Sequence, residues 1–400
     1  MTLFISLKRN FHSKFKTLKN CFADFEGDDL LDSAARTTGF NDFGNPDFEI
    51  PFRILIDALN HEARLSALGK FVTGVDLLKL LSNRLHMVQD RKTHPKIAHQ
   101  TITRPLFIAG MPRTGSSLLH TLLALDPNHR APLYWEVLYP SPPPNQNHTS
   151  DRRIAKAERD FRWFHRLTPD YRKIYMYGAE NVAECIALQA MSFESFRFVF
   201  TYHIPTYLQW AQTHTLMYGY AFHREFLQHL QTHFPTKRWV LKAPAHILHL
   251  NTLFETYPDA AVIFTHRNPT VVIPSMASNT YTLRKTFSRK IDAHQVAQEE
   301  LNRWYDGWCK VKPLREIYEA SMYDLIYNDF VHDPVKSIEK IYNYFCLPFS
   351  EEFKKSMENF LKKNRQHKYG KHRYDLSQFG LNEIIIKERF ADYISSFDLT

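Results

Sequence analysis

The chain has 400 residues, of which 44% are hydrophobic and 23% are charged, and its formal net charge is +9. These values are typical of a globular protein with a sizeable buried core. The Lys and Arg residues are spread along the whole chain rather than gathered in one tail, which argues against nucleic acid as the main partner. The positive charge is compatible with a ligand that carries several anionic groups.

The cysteines and the first residues bear on location. Four cysteines lie far apart with no C-x-x-C spacing, which argues against a disulfide framework or a zinc site and predicts reduced, cytoplasmic thiols. No run of about 20 uncharged apolar residues exists, so no transmembrane helix is expected. Residues 1–20 (MTLFISLKRNFHSKFKTLKN) are basic but lack the apolar region and cleavage site of a secretory signal. They form either an ordinary packed helix or a helix that contacts a membrane surface.

The predicted elements follow two patterns along the chain. Residues 1–100 form a helical N-terminal region, in which apolar residues recur at helical intervals from Leu55 to Ala67 and from Val75 to Val88. Residues 101–400 form an α/β domain with a Pro-rich loop at residues 140–144. Its predicted strands are the short apolar runs at residues 104–111 (RPLFIAGM), 239–242 (WVLK), 261–266 (AVIFTH) and 322–327 (MYDLIY). Its predicted helices lie at residues 116–125, at 246–257, after Pro269 and at 334–345.

Within this domain, residues 151–234 are predicted to form a mostly helical insertion that is rich in aromatic residues. Strands that alternate with helices are typical of a parallel sheet covered on both faces. The predicted fold class is therefore α/β, with a three-layer core, a helical N-terminal region and a helical insertion.

The most informative stretch is Gly110–Ser117 (GMPRTGSS), which lies between the first predicted strand and its helix. Its glycines allow tight turns, and its N–H groups can converge on an anion at the start of a helix. Arg113 adds a cation, and the serines add hydroxyl donors. Nucleotide-triphosphate loops of the form G-x-x-x-x-G-K-[ST] have a lysine where this chain has Ser116. The loop therefore fits an anion smaller than a magnesium triphosphate, and the alternative is a turn capped by serines.

The segment PRTGSSLLHTLLALDP, at residues 112–127, resembles the 5′-phosphosulfate loop of sulfotransferases that use 3′-phosphoadenosine 5′-phosphosulfate (PAPS). It is closest to the bacterial-type enzymes with a P-R-T/S-G-T/S-T/S loop, which also resemble tyrosylprotein sulfotransferases. The stretches FNDFGNPDFEIP, EARLSALGK, VLKAPAH and HRYDLSQFGL extend the resemblance over nearly the whole chain. It implies a five-stranded parallel sheet, no metal, and transfer of a sulfuryl group from PAPS to a hydroxyl of a small molecule, a carbohydrate or a lipid.

The resemblance also implies a donor site made of two segments. Arg113 stands where animal cytosolic sulfotransferases have a loop lysine, so it is expected to stabilise charge on the bridging oxygen as the S–O bond breaks. Arg267, in HRNP, and Ser275, on the helix that follows, are expected to bind the 3′-phosphate. The loop residues expected to hold the 5′-phosphosulfate are Pro112, Arg113, Thr114, Gly115, Ser116 and Ser117.

A basic cluster near the end of the chain, KYGKHR at residues 368–373, is similar to the C-terminal R-K-G loop of many sulfotransferases. It predicts that Lys368, Gly370 and Lys371 cover the 3′-phosphate of the donor. An exposed basic loop with no ligand would have the same composition.

Five side chains are candidates for chemistry at the acceptor or for lining its pocket. Glu136, between aromatic neighbours in LYWEV, is the first candidate for the general base, and His246 is a second. Lys242 ends a predicted strand and is expected to contact the leaving phosphate or the sulfuryl group. Glu180 and Glu184 are predicted to share one helical face and to line the acceptor pocket. A solvated helix face and a structural histidine are the alternatives.

The insertion is predicted to supply that pocket through aromatic residues suited to a sugar, a phenol or a lipid-linked hydroxyl, although core packing explains them equally well. These aromatic residues are Phe196, Phe198, Tyr202, Tyr207 and Trp210.

Two other functions stay open from the residues alone. One is a P-loop kinase or nucleotide hydrolase, and the other is a nucleotide-binding scaffold without turnover.

Overall fold

The computed structural model describes residues 24–146, 150–172, 178–364 and 377–399. A five-stranded sheet, parallel throughout, lies at the centre of this structure. Its strands in chain order are β1 (Leu106–Gly110), β2 (His129–Arg130), β3 (Arg238–Lys242), β4 (Ala261–His266) and β5 (Met322–Ile326).

The strands lie in the order β2-β3-β1-β4-β5, so β1 is the middle strand. Leu106 of β1 is opposite Val240 of β3 on one side and opposite Ala261 of β4 on the other. Every residue of β1 and β4 is buried, as expected for apolar strands covered on both faces. β2 and β3 lie on one side of β1, and β4 and β5 lie on the other, so the strand order reverses at β1. Such a switch point creates a crevice at the carboxyl ends of the strands.

Helices cover both faces of the sheet, which confirms the predicted three-layer α/β fold. We number them in chain order, leaving short 3-10 turns unnumbered. The first ten are α1 (Gly27–Thr38), α2 (Glu49–His61), α3 (Ala67–Thr93), α4 (Ser116–Leu123), α5 (Tyr134–Leu138), α6 (Arg152–Leu167), α7 (Pro169–Arg172), α8 (Cys185–Gln189), α9 (Phe196–Thr201) and α10 (Pro205–Thr213). The others are α11 (Met217–Gln231), α12 (Leu250–Thr256), α13 (Pro269–Phe287), α14 (Ala293–Val311), α15 (Leu314–Ile317), α16 (Tyr327–His332), α17 (Pro334–Tyr344), α18 (Glu351–Lys363), α19 (Glu383–Arg389) and α20 (Ala391–Ser396).

The sheet divides the hydrophobic core into two main clusters. Phe107 and Ala109 of β1 point into the larger cluster, which also receives Leu55 and Leu81 from the N-terminal helices. Leu106 and its alternate neighbours point into the other cluster, with α4 and α17. The helices before residue 100 therefore share a core with the rest of the chain, and the predicted division at residue 100 stays a prediction.

Two elements differ from the sequence prediction. β2 has only two residues, His129 and Arg130, and it forms by pairing with the edge of β3. The segment predicted as one helix at residues 246–257 is a 3-10 turn, Pro244–Leu248, followed by α12. Within the described residues, no helix combines the length and the apolar character needed to cross a bilayer.

Candidate active site

The stretch Gly110–Ser117, which we call the anion loop because its sequence predicts an anion site, joins the carboxyl end of β1 to the start of α4. Gly110 has a φ of 115°, and a Cβ added there would lie 2.5 Å from the carbonyl oxygen of Thr265. Only glycine therefore lets the loop leave β1 so close to β4. Gly115 also has a positive φ, of 80°, and immediately precedes α4. Arg113 has a φ of 65°, a strained conformation for a residue other than glycine and one that is common at functional sites.

Thr114 stabilises the loop through hydrogen bonds on its buried side. Its side chain is buried, and its Oγ1 lies 2.8 Å from the Met111 carbonyl oxygen and 2.6 Å from Thr265 Oγ1. These contacts hold the loop against β4 and turn the Thr114 hydroxyl away from the cavity described below. Ser116 and Ser117, which begin α4, line that cavity.

The loop is linked to the two residues predicted to bind the 3′-phosphate. Arg113 Nε donates to Ser275 Oγ at 3.2 Å, and Arg267 Nη1 donates to the Arg113 carbonyl oxygen at 2.8 Å. The Arg267 guanidinium stacks 4.0 Å from the ring centroid of Tyr327. The structure therefore brings two arginines and a serine from separate segments to one edge of the sheet. Sequence reasoning did not single out Tyr327.

Lys242 links the loop to the insertion. It ends β3 with a buried side chain, and its Nζ donates to Ser117 Oγ at 3.2 Å. The same Nζ makes an ion pair with Glu184, which sits at the N-cap position of α8. A loop hydroxyl, an ammonium and a carboxylate thus form one connected chain of contacts.

A cavity of about 570 Å³ extends from this chain of contacts. Residues at the carboxyl edge of the sheet, Pro112, Arg113, Lys242 and Arg267 among them, line one part of it. Most of the remaining wall is apolar. The apolar and aromatic residues of the wall include Val72, Leu80, Val137, Phe161, Phe164, Ile186, Met191, Phe200, Tyr202, Met276, Leu283, Phe287 and Trp304. We call this space the acceptor cavity.

The charged side chains of the apolar wall are paired. Lys79 lies 2.9 Å from Asp160, and Arg197 lies 2.6 Å from Asp76. Asn279 also lines the cavity, and its buried Oδ1 has no hydrogen-bond partner among the residues that the structure describes. Asn279 follows Ser275 by four residues on α13, so helical spacing from Ser275 is the signal that could have found it.

Comparison with known proteins decides the family. The sequence model of the sulfotransferase family matches residues 105–351, well over half of the chain. The chain belongs to the sulfotransferase family. The sequence-based prediction of a sulfotransferase is thereby confirmed, and the loop described above lies within the matched residues.

Individual sulfotransferases agree with this result. Omega-hydroxy-beta-dihydromenaquinone-9 sulfotransferase Stf3, from Mycobacterium bovis and from Mycobacterium tuberculosis, is 23% identical over 306 residues, which is 73% of this chain and 74% of Stf3. Sulfotransferase STF1 from Mycobacterium tuberculosis H37Rv is 31% identical in sequence. Its crystal structure matches with a TM-score of 0.83 over 93% of this chain and 100% of that one. Sulfotransferase STF9 from Mycobacterium avium, 23% identical, has the same fold, with a TM-score of 0.86 over 93% and 97% of the two chains.

The sulfotransferase buries Glu136 in a structural ion pair. Its Oε1 lies 2.5 Å from Arg130 Nη2, and its Oε2 accepts the Leu133 N–H at 2.9 Å. Arg130 also donates to the Leu230 carbonyl oxygen at 2.7 Å. Glu136 is not among the described residues that line the acceptor cavity. Both carboxylate oxygens are therefore occupied away from the loop, and we do not propose Glu136 as the base.

His246 is buried in the core of the sulfotransferase. Its Nδ1 lies 2.7 Å from the Tyr220 hydroxyl, and its ring packs edge-on against Phe107 at 5.1 Å. Burial lowers the pKa of His246 well below its ordinary value, and the neighbouring His223 and His249 lower it further. His246 is likewise absent from the described cavity wall, so we do not propose it as the base.

The prediction that Glu180 and Glu184 share one helical face is wrong. α8 begins at Cys185, and Glu180 is exposed in the turn before it, so only Glu184 reaches the cavity. Of the five predicted aromatic residues, Tyr202 lines the cavity, and the other four are not in its described wall. Lys368, Gly370 and Lys371 lie outside the described residues.

Proposed function

We propose that this sulfotransferase takes its sulfuryl group from PAPS and transfers it to a hydroxyl on a long apolar molecule. One observation carries the proposal. The anion loop, Lys242 and Arg267 line one end of the acceptor cavity, and the rest of its wall is largely apolar. An anionic donor and an apolar acceptor can therefore meet at the carboxyl edge of the sheet.

The loop residues fit the phosphosulfate end of PAPS. Gly110 and Gly115 have positive φ values, so the loop Gly110–Ser117 can turn tightly and its N–H groups can converge on an anion. Ser116 and Ser117 add hydroxyl donors at the helix start. Arg267 and Ser275, both linked to Arg113, are suited to the 3′-phosphate, because a guanidinium and a hydroxyl can share its oxygens.

Arg113 and Lys242 are proposed to stabilise the leaving group. As the acceptor oxygen bonds to sulfur and the bond to the bridging oxygen breaks, negative charge collects on the departing phosphate. The strained backbone of Arg113 places a cation within the loop, and Lys242 already contacts Ser117. Both cations then stabilise the transition state more than the ground state.

Glu184 is proposed as the general base that takes the proton of the acceptor hydroxyl. It lines the cavity, and its contact with Lys242 places its carboxylate beside the loop. A carboxylate held beside the loop can accept the proton of a hydroxyl bound there. No spacing in the sequence indicated this role, because the contact joins β3 to the insertion.

The relatives support an acceptor of this class. Stf3, by its name, acts on omega-hydroxy-beta-dihydromenaquinone-9. The apolar wall of the acceptor cavity suits a hydrocarbon chain, and its polar end suits a terminal hydroxyl. A cytoplasmic location stays a prediction from the sequence.

The donor site can be tested by calorimetric binding of 3′,5′-adenosine diphosphate, with AMP as comparator. We expect the bisphosphate to bind at least tenfold more tightly than AMP, and Arg267→Ala to remove most of that preference, since one charge-assisted contact contributes about 1.5–3 kcal/mol. Arg315→Ala is the matched control, because Arg315 pairs with Asp324 on β5. Equal affinity for AMP and the bisphosphate would contradict the assignment of a 3′-phosphate site.

A further inference from the structure

A second cavity, of about 490 Å³, opens on another face of α13. Its rim carries four cationic side chains, and we call it the basic cavity. Within the described parts of the chain, none of these four makes an ion pair with an acidic side chain. The four cationic residues are Arg64, Lys285, Arg289 and Lys290.

The acidic residues of the basic cavity are engaged elsewhere. Glu62 accepts the Thr206 N–H at 3.1 Å, and Asp292 caps α14 by accepting the His294 N–H at 2.8 Å. Arg284, in the wall, lies 2.7 Å from Glu299. Burial alone would raise the pKa of Glu299, but hydrogen bonds from His203 and Arg284 lower it to about 2. Glu299 therefore stays ionised and neutralises Arg284, while the cations of the rim remain available.

Two residues of this cavity carry a buried polar atom that has no hydrogen-bond partner in the described part of the chain. Ser288 is 6% exposed, and its Oγ makes no hydrogen bond. Arg284 is 1% exposed, and its Nε makes none, although its two terminal nitrogens are bonded. Both atoms lie beneath the cavity surface. A bound anion would therefore contact the four exposed cations of the rim rather than these two atoms.

The basic cavity lies beside the start of α3. Further along, the same helix forms part of the wall of the acceptor cavity. The Arg289 N–H donates to the Arg64 carbonyl oxygen at 2.9 Å, and the Ser66 N–H donates to the Phe287 carbonyl oxygen at 2.8 Å. α3 begins directly after Ser66. The two cavities are thus joined by one short stretch of backbone and one helix.

α3 carries exposed apolar side chains next to the acceptor cavity. Leu68 is 40% exposed and Val75 is 49% exposed. Val72 lies between them, four residues from Leu68 and three from Val75, so the three share one helical face. Val72 also lines the acceptor cavity. An apolar stripe, Leu68–Val72–Val75, therefore runs along α3 from the basic cavity to the acceptor cavity.

We propose that the basic cavity binds the phosphate of an anionic phospholipid while the stripe enters the apolar layer of the membrane surface. Cations near an anionic leaflet and apolar side chains at its boundary reinforce each other in binding. The acceptor cavity would then take its substrate from the membrane. This last step rests on the proposed lipid-type acceptor, whereas binding to the surface does not.

The test is co-sedimentation of the full chain with vesicles of phosphatidylcholine, with or without phosphatidylglycerol. We expect binding only to the anionic vesicles. Binding of Arg289→Gln/Lys290→Gln should be roughly 10- to 30-fold weaker, because each cation near such a surface strengthens binding by a factor of about five. Lys354→Gln/Lys355→Gln on α18 is the matched control, since it removes the same charge elsewhere. Leu68→Ser/Val75→Ser should weaken binding without a change in net charge.

Three outcomes would overturn the proposal. The first is equal weakening of vesicle binding by the two charge variants, and the second is no effect of Leu68→Ser/Val75→Ser. The third is calorimetric binding of inorganic phosphate by a protein that does not bind anionic vesicles, which would make the basic cavity a site for free phosphate. Binding of 3′,5′-adenosine diphosphate by the same variants separates the two proposals, because it should be unchanged even if docking fails.

Discussion

Glu184 differs from the other carboxylates of the acceptor cavity in its partner. Within the described wall, Asp76 pairs with Arg197 and Asp160 pairs with Lys79, both away from the loop. Glu184 pairs with Lys242, which also bonds to Ser117 of the loop. The position of Glu184 beside the anion loop is therefore its distinguishing property.

Replacing Glu184 by glutamine tests its role as the base. We expect Glu184→Gln to lower kcat about 100-fold or more, because a positioned base typically contributes 10²–10⁴-fold. The affinity for 3′,5′-adenosine diphosphate should stay near that of the wild type. Glu180→Gln, an exposed neighbour, is the control and should have no effect. A Glu184→Gln enzyme with normal kcat would eliminate this assignment.

Glu194 gives a second prediction at this scale. Burial raises its pKa from 4.5 to about 7, although the Gly219 N–H, 2.6 Å from Oε2, opposes the shift. The folded protein thus holds this proton more tightly than the unfolded chain does. Its contribution to stability is fully present below pH 4.5 and is lost as the pH rises through 7.

Glu194→Gln should therefore gain stability relative to the wild type as the pH rises from 5 to 8, by roughly 2–3 kcal/mol. Urea unfolding of both proteins at the two pH values measures the difference. Exposed Glu180→Gln should show the pH dependence of the wild type. If the curves of Glu194→Gln and the wild type run parallel, the carboxyl of Glu194 titrates normally.

Some of the contacts at the carboxyl edge of the sheet join residues that the sequence had singled out, and others do not. Arg113, Arg267 and Ser275 were predicted by resemblance, and the structure brings them together, although their roles as ligands stay predictions. The contact between Lys242 and Glu184 joins segments 58 residues apart, and no local spacing encodes such a contact.

At the scale of elements, the strand predictions depended on apolar runs. β1, β3, β4 and β5 contain such runs beside helices, so periodicity indicated them. β2 does not, because two residues become a strand only when the edge of β3 is there to pair with them. The helix expected to carry both Glu180 and Glu184 fails for a similar reason, since tertiary contacts rather than helix propensity shape the segment before α8.

The junction of β1 and β4 gives a test at this scale. Gly110→Ala would place a Cβ 2.5 Å from the Thr265 carbonyl oxygen at a φ of 115°. Gly39, at the end of α1, has a φ of 76° and open space around the added atom. Gly39→Ala should cost about 1 kcal/mol from backbone strain alone, and Gly110→Ala should cost about 3 kcal/mol or more because a clash is added.

Urea unfolding of the two variants measures this difference, and calorimetry with 3′,5′-adenosine diphosphate shows whether the loop still binds its anion. Gly39→Ala should bind normally. Equal destabilisation by the two substitutions would mean that β1 and β4 can separate at little cost.

For the whole molecule, the order of the sheet places the chemistry. β1 is the middle strand, so its loop, Lys242 at the end of β3 and Arg267 after β4 lie side by side. The insertion, together with α3, α13 and α14, adds an apolar wall beside this edge. The fold thus brings the anion loop and a largely apolar cavity together, which composition alone did not show.

The most direct test of the central claim is transfer of ³⁵S from labelled PAPS to a series of primary alcohols of increasing chain length. We expect labelled sulfate esters, with kcat/KM rising about fourfold for each added methylene until the acceptor cavity is filled, as burial of one CH₂ contributes about 0.8 kcal/mol. Sugar alcohols of similar size should be poor acceptors. Transfer that is independent of chain length, or that favours the sugar alcohols, would contradict the account.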